Sequence, residues 1–369
     1  MSIEDAPHCL VWGGSDEIWL AAYREFLALA SDRLGHLMRM LQDLAPARAE
    51  ILQSLLSVAS DRVYTRLITA PEVTNRLLWS SPSVENANFI IDVLQAELVA
   101  AGILTKTTGQ PLWAALGDFV VTPAGDARYS LRIDEFMPID IGSPFAETMA
   151  KGEGFVDAGT PETRAFATDE CERIAGILKR TREALEATSE EAFHFVLTFN
   201  RVLILQKDLG APETFASGST GQYIGRSFIA NPHLAFVDES QLADAIVHEA
   251  IHGFLYMLEI RVPWVFDREL YEPTPVIYSP WTGNHLALRP FLQACFVWFG
   301  LAHFFAIALS RGTLPPRRAK DRLRLAVTGF LKGDLLLHLE AYRERVAPAI
   351  VTAIQEMQAR VLAAYSVVA

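Results

Sequence analysis

Residues 238–252 read Asp238-Glu239-Ser240-Gln241-Leu242-Ala243-Asp244-Ala245-Ile246-Val247-His248-Glu249-Ala250-Ile251-His252. Asp238 suits a helix N-cap, and Gln241 stands at the reciprocal position of a capping box. Leu242, Ile246, Val247, Ile251, Phe254, Leu255 and Leu258 then recur at helical spacing until Pro263 forbids further turns. The stretch reads as one apolar helix ending near Ile260. On it, His248, Glu249 and His252 form a His-Glu-x-x-His pattern. Four residues turn about 400°, so the two imidazoles lie about 40° apart on one face and one turn apart in height. Both can reach one ion at a bond length of about 2.0–2.1 Å. Glu249, about 100° round the axis, sits beside that ion, where it can act on a bound water. Three fixed positions also match by chance. Two histidines and a glutamate left unpaired on so apolar a helix would be costly to bury, which favours a metal site.

The third ligand has several candidates. Glu259 lies on the same stripe, but seven residues from His252 is about 10.5 Å of rise, too far to share the ion. It is expected behind the ligands, or in an ion pair with Arg261 or another base. The continuation found in many zinc peptidases, His-x-x-Gly-x-x-His, is missing, because Gly253-Phe254-Leu255-Tyr256-Met257-Leu258 follows. His303, in the middle of a later apolar helix, is either a satisfied core histidine or the missing ligand. His285 and the loop carboxylates Asp267, Glu269 and Glu272 are the remaining choices.

Working outward, Arg201–Gln206, Tyr223–Ala230 and Leu234–Val237 read as strands of a small sheet just before the metal helix. Residues 15–101 read as helices, with a helical region over 1–115 and the metal-site core with C-terminal helices over 116–369, expected to join as one continuous unit. Phe119–Val121 and Tyr129–Ile133 suggest short strands around the turn Pro123-Ala124-Gly125-Asp126. Thr160-Pro161-Glu162 resembles a helix start, and Thr188-Ser189-Glu190-Glu191 a capping box. Pro290 opens a long apolar helix that Gly312 ends, and two helices, about 316–345 and 347–367, close the chain. The sum is an α+β, mostly α fold with a zincin-like metal helix.

Composition sets the outer bounds. Of 369 residues, 51% are hydrophobic and 21% charged, which excludes disorder. The net charge of -12 makes nucleic acid a poor partner, because that binding rests on Lys and Arg. Three scattered cysteines form neither a disulfide framework nor a thiolate metal site, and they suit a reducing cytoplasm. Phe291–Leu309 is uncharged and nearly long enough to span a bilayer. It carries Gln293 and His303 and has no companion span, so a buried helix and no membrane role is the expectation.

The run Ser217–Gly225, the strand Ile224–Ala230, the His248 helix, Ser279-Pro280-Trp281 and Arg289-Pro290-Phe291-Leu292-Gln293-Ala294 together resemble the HExxH-motif family associated with ribosomally made, modified peptides. The resemblance covers roughly Ser217–Ala306. It implies an iron(II)- and 2-oxoglutarate-dependent peptide β-hydroxylase that uses O2 and a peptide substrate carrying a leader segment. His248 and His252 would bind iron, with the third ligand from the Pro290 helix. Arg289 would take the 2-oxoglutarate carboxylate, Gln293 would line the pocket, and Glu249 would act as acid/base, stand behind the ligands or itself be a ligand. A zinc metallopeptidase with Glu249 as general base is the alternative. For substrate contacts, Tyr223 and Arg226 on the strand before the metal helix offer β-augmentation, and Trp281 a pocket wall. The basic run Arg317–Arg324 is either a solvated helix face or a dock for an acidic leader.

Overall fold

The computed structural model describes residues 3–14, 16–105, 109–146, 165–266 and 276–365. The protein is mostly helical with small sheets. Contacts divide it into two units, each built from separated stretches of chain. One comprises Met1–Tyr23, Arg180–Val196 and Asp238–Ala369, the other Arg24–Lys179 and Leu197–Val237. The expected boundary after residue 115 falls inside the second unit.

The second unit holds most of α2 (Asp16–Leu44) and all of α3 (Pro46–Val58), α4 (Asp61–Thr69), α5 (Pro71–Leu78) and α6 (Val84–Ala100). Their apolar faces meet in a core of Leu34, Leu37, Leu52, Leu67, Ile90 and Leu94. Ser60 and Ser83 cap α4 and α6 by accepting from Val63 N and Asn86 N. Strands β1 (Leu112–Trp113), β2 (Phe119–Val121) and β3 (Ala127–Tyr129) form an antiparallel meander. Its β2–β3 turn is the expected one, although the strand ends at Tyr129 and does not continue to Ile133.

The main sheet joins β4 (Ile139–Asp140), β5 (Val202–Gln206), β6 (Ala216–Ser219) and β7 (Arg226–Ala230) in the order β4-β5-β7-β6. The β4–β5 and β5–β7 pairs are parallel, and β6 pairs antiparallel with β7. Every residue of β5 and β7 is buried, as parallel strands covered on both faces require. Leu234–Val237 is turn, not strand. Asn231, at φ 54°, breaks the chain after β7, and its side chain accepts from Asp208 N and donates to Ala211 O and Thr214 O.

Two further helices, like α2, carry residues of both units. In α7 (Thr168–Thr188) the helix begins at Thr168, and the proposed start at Thr160–Glu162 lies outside the described residues. Ser189 caps α8 (Glu190–Phe199) by accepting from Ala192 N, one residue later than the expected Thr188 cap, because the Thr188 hydroxyl already donates back to Ala184 O.

The first unit is built on α9 (Glu239–Arg261), α10 (Leu288–Arg311), α11 (Pro316–Leu331) and α12 (Pro348–Tyr365). Between α9 and α10 stands the hairpin of β8 (Ile277–Tyr278) and β9 (His285–Leu286). Helix α10 packs on α9, α11 and α12. It starts at Leu288, two residues before Pro290, and ends at Gly312 in the left-handed conformation at φ 67°. It alone among the described helices is long and apolar enough to cross a membrane, but 72% of that stretch is buried within the fold, the position of a core helix. The helix expected over 316–345 breaks after Leu331, and a 3₁₀ segment, Leu335–Arg345, follows with Asp334 capping Leu336 N. Gly300 lets α9 and α10 approach closely: a Cβ there would come within 2.7 Å of Ile251 Cδ1.

Candidate metal centre

Helix α9 starts where its cap dictates. Asp238, extended at φ -122°, accepts from Gln241 N at 3.0 Å. The helix is buried along most of its length, and five of its polar side chains fall on one stripe: Asp244, His248, His252, Tyr256 and Glu259.

The central pair converges. His248 Nε2 and His252 Nε2 lie 3.2 Å apart. At a bond length of about 2.0–2.1 Å, one ion touching both would subtend about 100° between them, inside the range of tetrahedral and octahedral sites. Burial pushes both imidazoles down to about 4; Arg322 adds to this at His248, and His248 itself adds to it at His252. Both rings are therefore neutral at neutral pH, the form that binds metal. His252 is held from two further sides. Its Nδ1 lies 3.0 Å from Gln293 Oε1 of α10, and its ring stacks on Tyr256 at 5.8 Å between centroids. Glu249 is 2% exposed, and its charge is felt by both His252 and Asp244.

Each end of the stripe is closed by an ion pair. Asp244 meets Arg322 of α11 at 2.5 Å, and burial raises the Asp244 carboxyl above its ordinary range despite that partner. Arg318 reaches Asp238 at 3.6 Å, so the basic run is partly spent on α9, while Arg317 stays in solvent. At the other end, Arg289 clasps Glu259: Nε lies 2.9 and 2.8 Å from the two carboxylate oxygens, and Nη2 lies 2.7 Å from Oε2. Arg289 is thus the base that pairs with Glu259, and its Cζ lies 5.2 Å from the centre of the Tyr256 ring.

The other candidates do not join the pair. His303 is ten residues beyond Gln293 on α10, about 15 Å along the axis. It lines a separate cavity of about 400 Å³ with Trp12, Ser189, Arg311 and Tyr365, against the ring of Phe299 at 4.6 Å. Burial pushes it down to about 4. His303 is thus a half-buried histidine of that cavity, away from the His248–His252 pair. His285 is exposed on β9 beside Tyr278. Asp267, Glu269 and Glu272 lie outside the described residues. Among the described residues, no three His, Cys, Asp or Glu side chains converge on one point. The donors thus fit two ligand positions of an ion.

The three residues proposed for substrate have structural work. Trp281 is 5% exposed, donates to Ala326 O at 2.9 Å, stacks on Trp298 and lies against Gly329. Arg226 is 2% exposed and ion-paired with Glu72, with Tyr223 under its guanidinium at 3.7 Å. Both belong to the second unit. Arg226 opens β7, which has partners on both sides and so offers no free edge to a peptide, while Tyr223 lies in the turn before it, outside the strand expected to start there. Sequence reasoning missed the Asp244–Arg322 pair and the Tyr256 stack, although the spacing Asp244-x₃-His248-x₃-His252-x₃-Tyr256 was open to view.

No protein-family model matches the chain, and no curated protein matches it.

Proposed function

We propose that the protein is a cytoplasmic, non-haem iron(II), 2-oxoglutarate-dependent hydroxylase acting on a side-chain β-carbon of a ribosomally made peptide. The observation that carries this is the pair of neutral imidazoles converging at 3.2 Å, with the Arg289 guanidinium against the tyrosine that stacks on His252. His248 and His252 would hold the iron, which imidazole suits. When bound with 2-oxoglutarate and O2, the iron supplies an oxidant able to take a Cβ hydrogen.

The chain's own part is to bind, orient and exclude water. Gln293 and Tyr256 fix the His252 ring. The apolar sides of α9 and α10 flank the half-buried pair and limit its contact with water. A guanidinium suits a planar carboxylate. The Nε–Nη2 edge of Arg289 already carries Glu259, so an incoming carboxylate must share or replace that partner. The three free cysteines and the buried α10 agree with a reducing, non-membrane location.

The test is purified protein with iron(II), 2-oxoglutarate, O2 and a peptide encoded beside its gene. Succinate formed together with a peptide heavier by one oxygen supports the reading. Absence of oxoglutarate turnover with that peptide rejects it. A zinc peptidase is the second reading, favoured by the buried Glu249 whose charge His252 feels, since a general base must stand beside the ion. Peptide cleavage lost in Glu249→Gln, without oxoglutarate turnover, would select it.

A further inference from the structure

We infer that Gln293 is the positioning residue of the metal pair: by accepting from His252 Nδ1–H it fixes the tautomer that leaves His252 Nε2 bare for the ion. This rests on the metal reading above and adds a residue to it.

Gln293 is 3% exposed in an otherwise apolar stretch of α10. Its carboxamide makes one bond, Oε1 to His252 Nδ1 at 3.0 Å, while its Nε2 is buried with no partner among the described residues. A buried amide with an unmade donor costs stability, and a leucine here would avoid that cost. The reverse orientation of the amide strands an acceptor instead and forces the His252 proton onto Nε2, toward His248 Nε2 at 3.2 Å, so that His252 rather than His248 would have to release the proton between the rings. The observed orientation keeps the proton on Nδ1. His248 Nε2–H then donates to His252 Nε2 in the metal-free protein, so the two rings hold opposite tautomers. On metal binding only His248 must move its proton. A hydrogen bond to the far nitrogen is how ligating histidines are usually oriented, and its loss costs 10–100-fold in metal affinity.

The test combines two measurements on the full chain. Nitrogen NMR of the metal-free protein reads the tautomers without any metal. Competition with a chromogenic chelator, with zinc(II) as the probe ion, reads affinity. Wild type is expected to show His252 as Nδ1–H and His248 as Nε2–H. Gln293→Leu is expected to lose the His252 preference and weaken zinc(II) roughly 10–100-fold. Gln293→Glu, which keeps an acceptor for Nδ1–H, is expected to restore both. Equal affinity in wild type and Gln293→Leu overturns the inference, as does a His252 proton on Nε2 in wild type. A leucine-like loss in Gln293→Glu would mean that the residue acts by packing and also overturns it. If wild type binds no zinc(II) or iron(II), the metal reading fails and this role falls with it. The tautomers then still report whether the hydrogen bond exists, so the two failures are separable.

Discussion

Replacing Asp244 by alanine strands Arg322 beside the histidine pair. The pair meets at 2.5 Å, with 19% of the Asp244 and 30% of the Arg322 side chain exposed. At an effective dielectric of about 20, the gross attraction at that distance is about 6–7 kcal/mol. Most of it is offset by desolvation, since burial raises the Asp244 carboxyl in spite of the arginine. The intact pair therefore adds little net stability, whereas breaking a buried pair costs about 3–5 kcal/mol. Partial exposure here lowers the expectation to about 2–4 kcal/mol for Asp244→Ala. The double variant Asp244→Ala with Arg322→Met removes the stranded charge and should recover at least half of the loss. Because Arg322 already opposes positive charge at His248, the single variant should also bind zinc(II) more weakly, and the double variant should not. Urea unfolding and chelator competition on the three proteins decide this. A loss under about 0.5 kcal/mol in the single variant, or a double variant no more stable than the single, would refute the argument.

Three further outcomes are expected. Excess chelator should lower the melting temperature of metal-loaded wild type and leave His252→Leu unmoved, because an ion bound only to the folded state stabilises it by mass action; equal shifts in both would remove His252 from the ligand set. Gly329→Ala puts a Cβ within 2.2–2.4 Å of the Trp281 ring and should cost about 1–3 kcal/mol, with tryptophan emission shifted to the red; an unshifted spectrum and melting point would contradict the core placement of Trp281. Burial raises Asp140 from its ordinary 3.8 to about 7, against the hydrogen bonds from Ser143, with Asp118 adding to the rise and Arg226 opposing it. The folded chain therefore keeps a proton that the unfolded chain releases, so this stability is full below about pH 4 and is lost as pH rises through about 7, by about 4 kcal/mol at most. Chemical unfolding of Asp140→Asn should show a flatter pH profile over that window, and a profile identical to wild type would count against the assignment.

What the sequence made legible was local. Asp238, Pro263 and Gly312 act within a turn of themselves, so both ends of α9 and the end of α10 could be read to within a residue or two. The His248–His252 convergence follows from helix pitch alone. What stayed hidden depends on partners distant in sequence. Leu234–Val237 has strand composition, but Asn231 diverts the chain and no neighbour offers a ladder. Trp281 in a loop looked like a pocket wall, and only Gly329, forty-eight residues on, makes room for it in the core. Arg226 looked like a substrate contact because Glu72, its partner, lies far back in α5.

His303 and Gln293 bring out the same limit on a single helix. Both interrupt the apolar run of α10, and ligand chemistry favours the histidine over the amide. The choice between them turns on which level of α10 faces His252, and sequence periodicity gives only the side of a helix, never its height against a neighbour. Gly300 allows the close approach of α10 to Ile251 of α9, and Gln293, two turns earlier, comes level with His252. His303, almost one turn after Gly300, is carried past the pair into the Trp12 cavity. An apolar helix long enough to suggest a membrane thus has another reason for its composition. It is the apolar face beside which two neutral imidazoles converge, and Gln293, not His303, is the polar residue that reaches them.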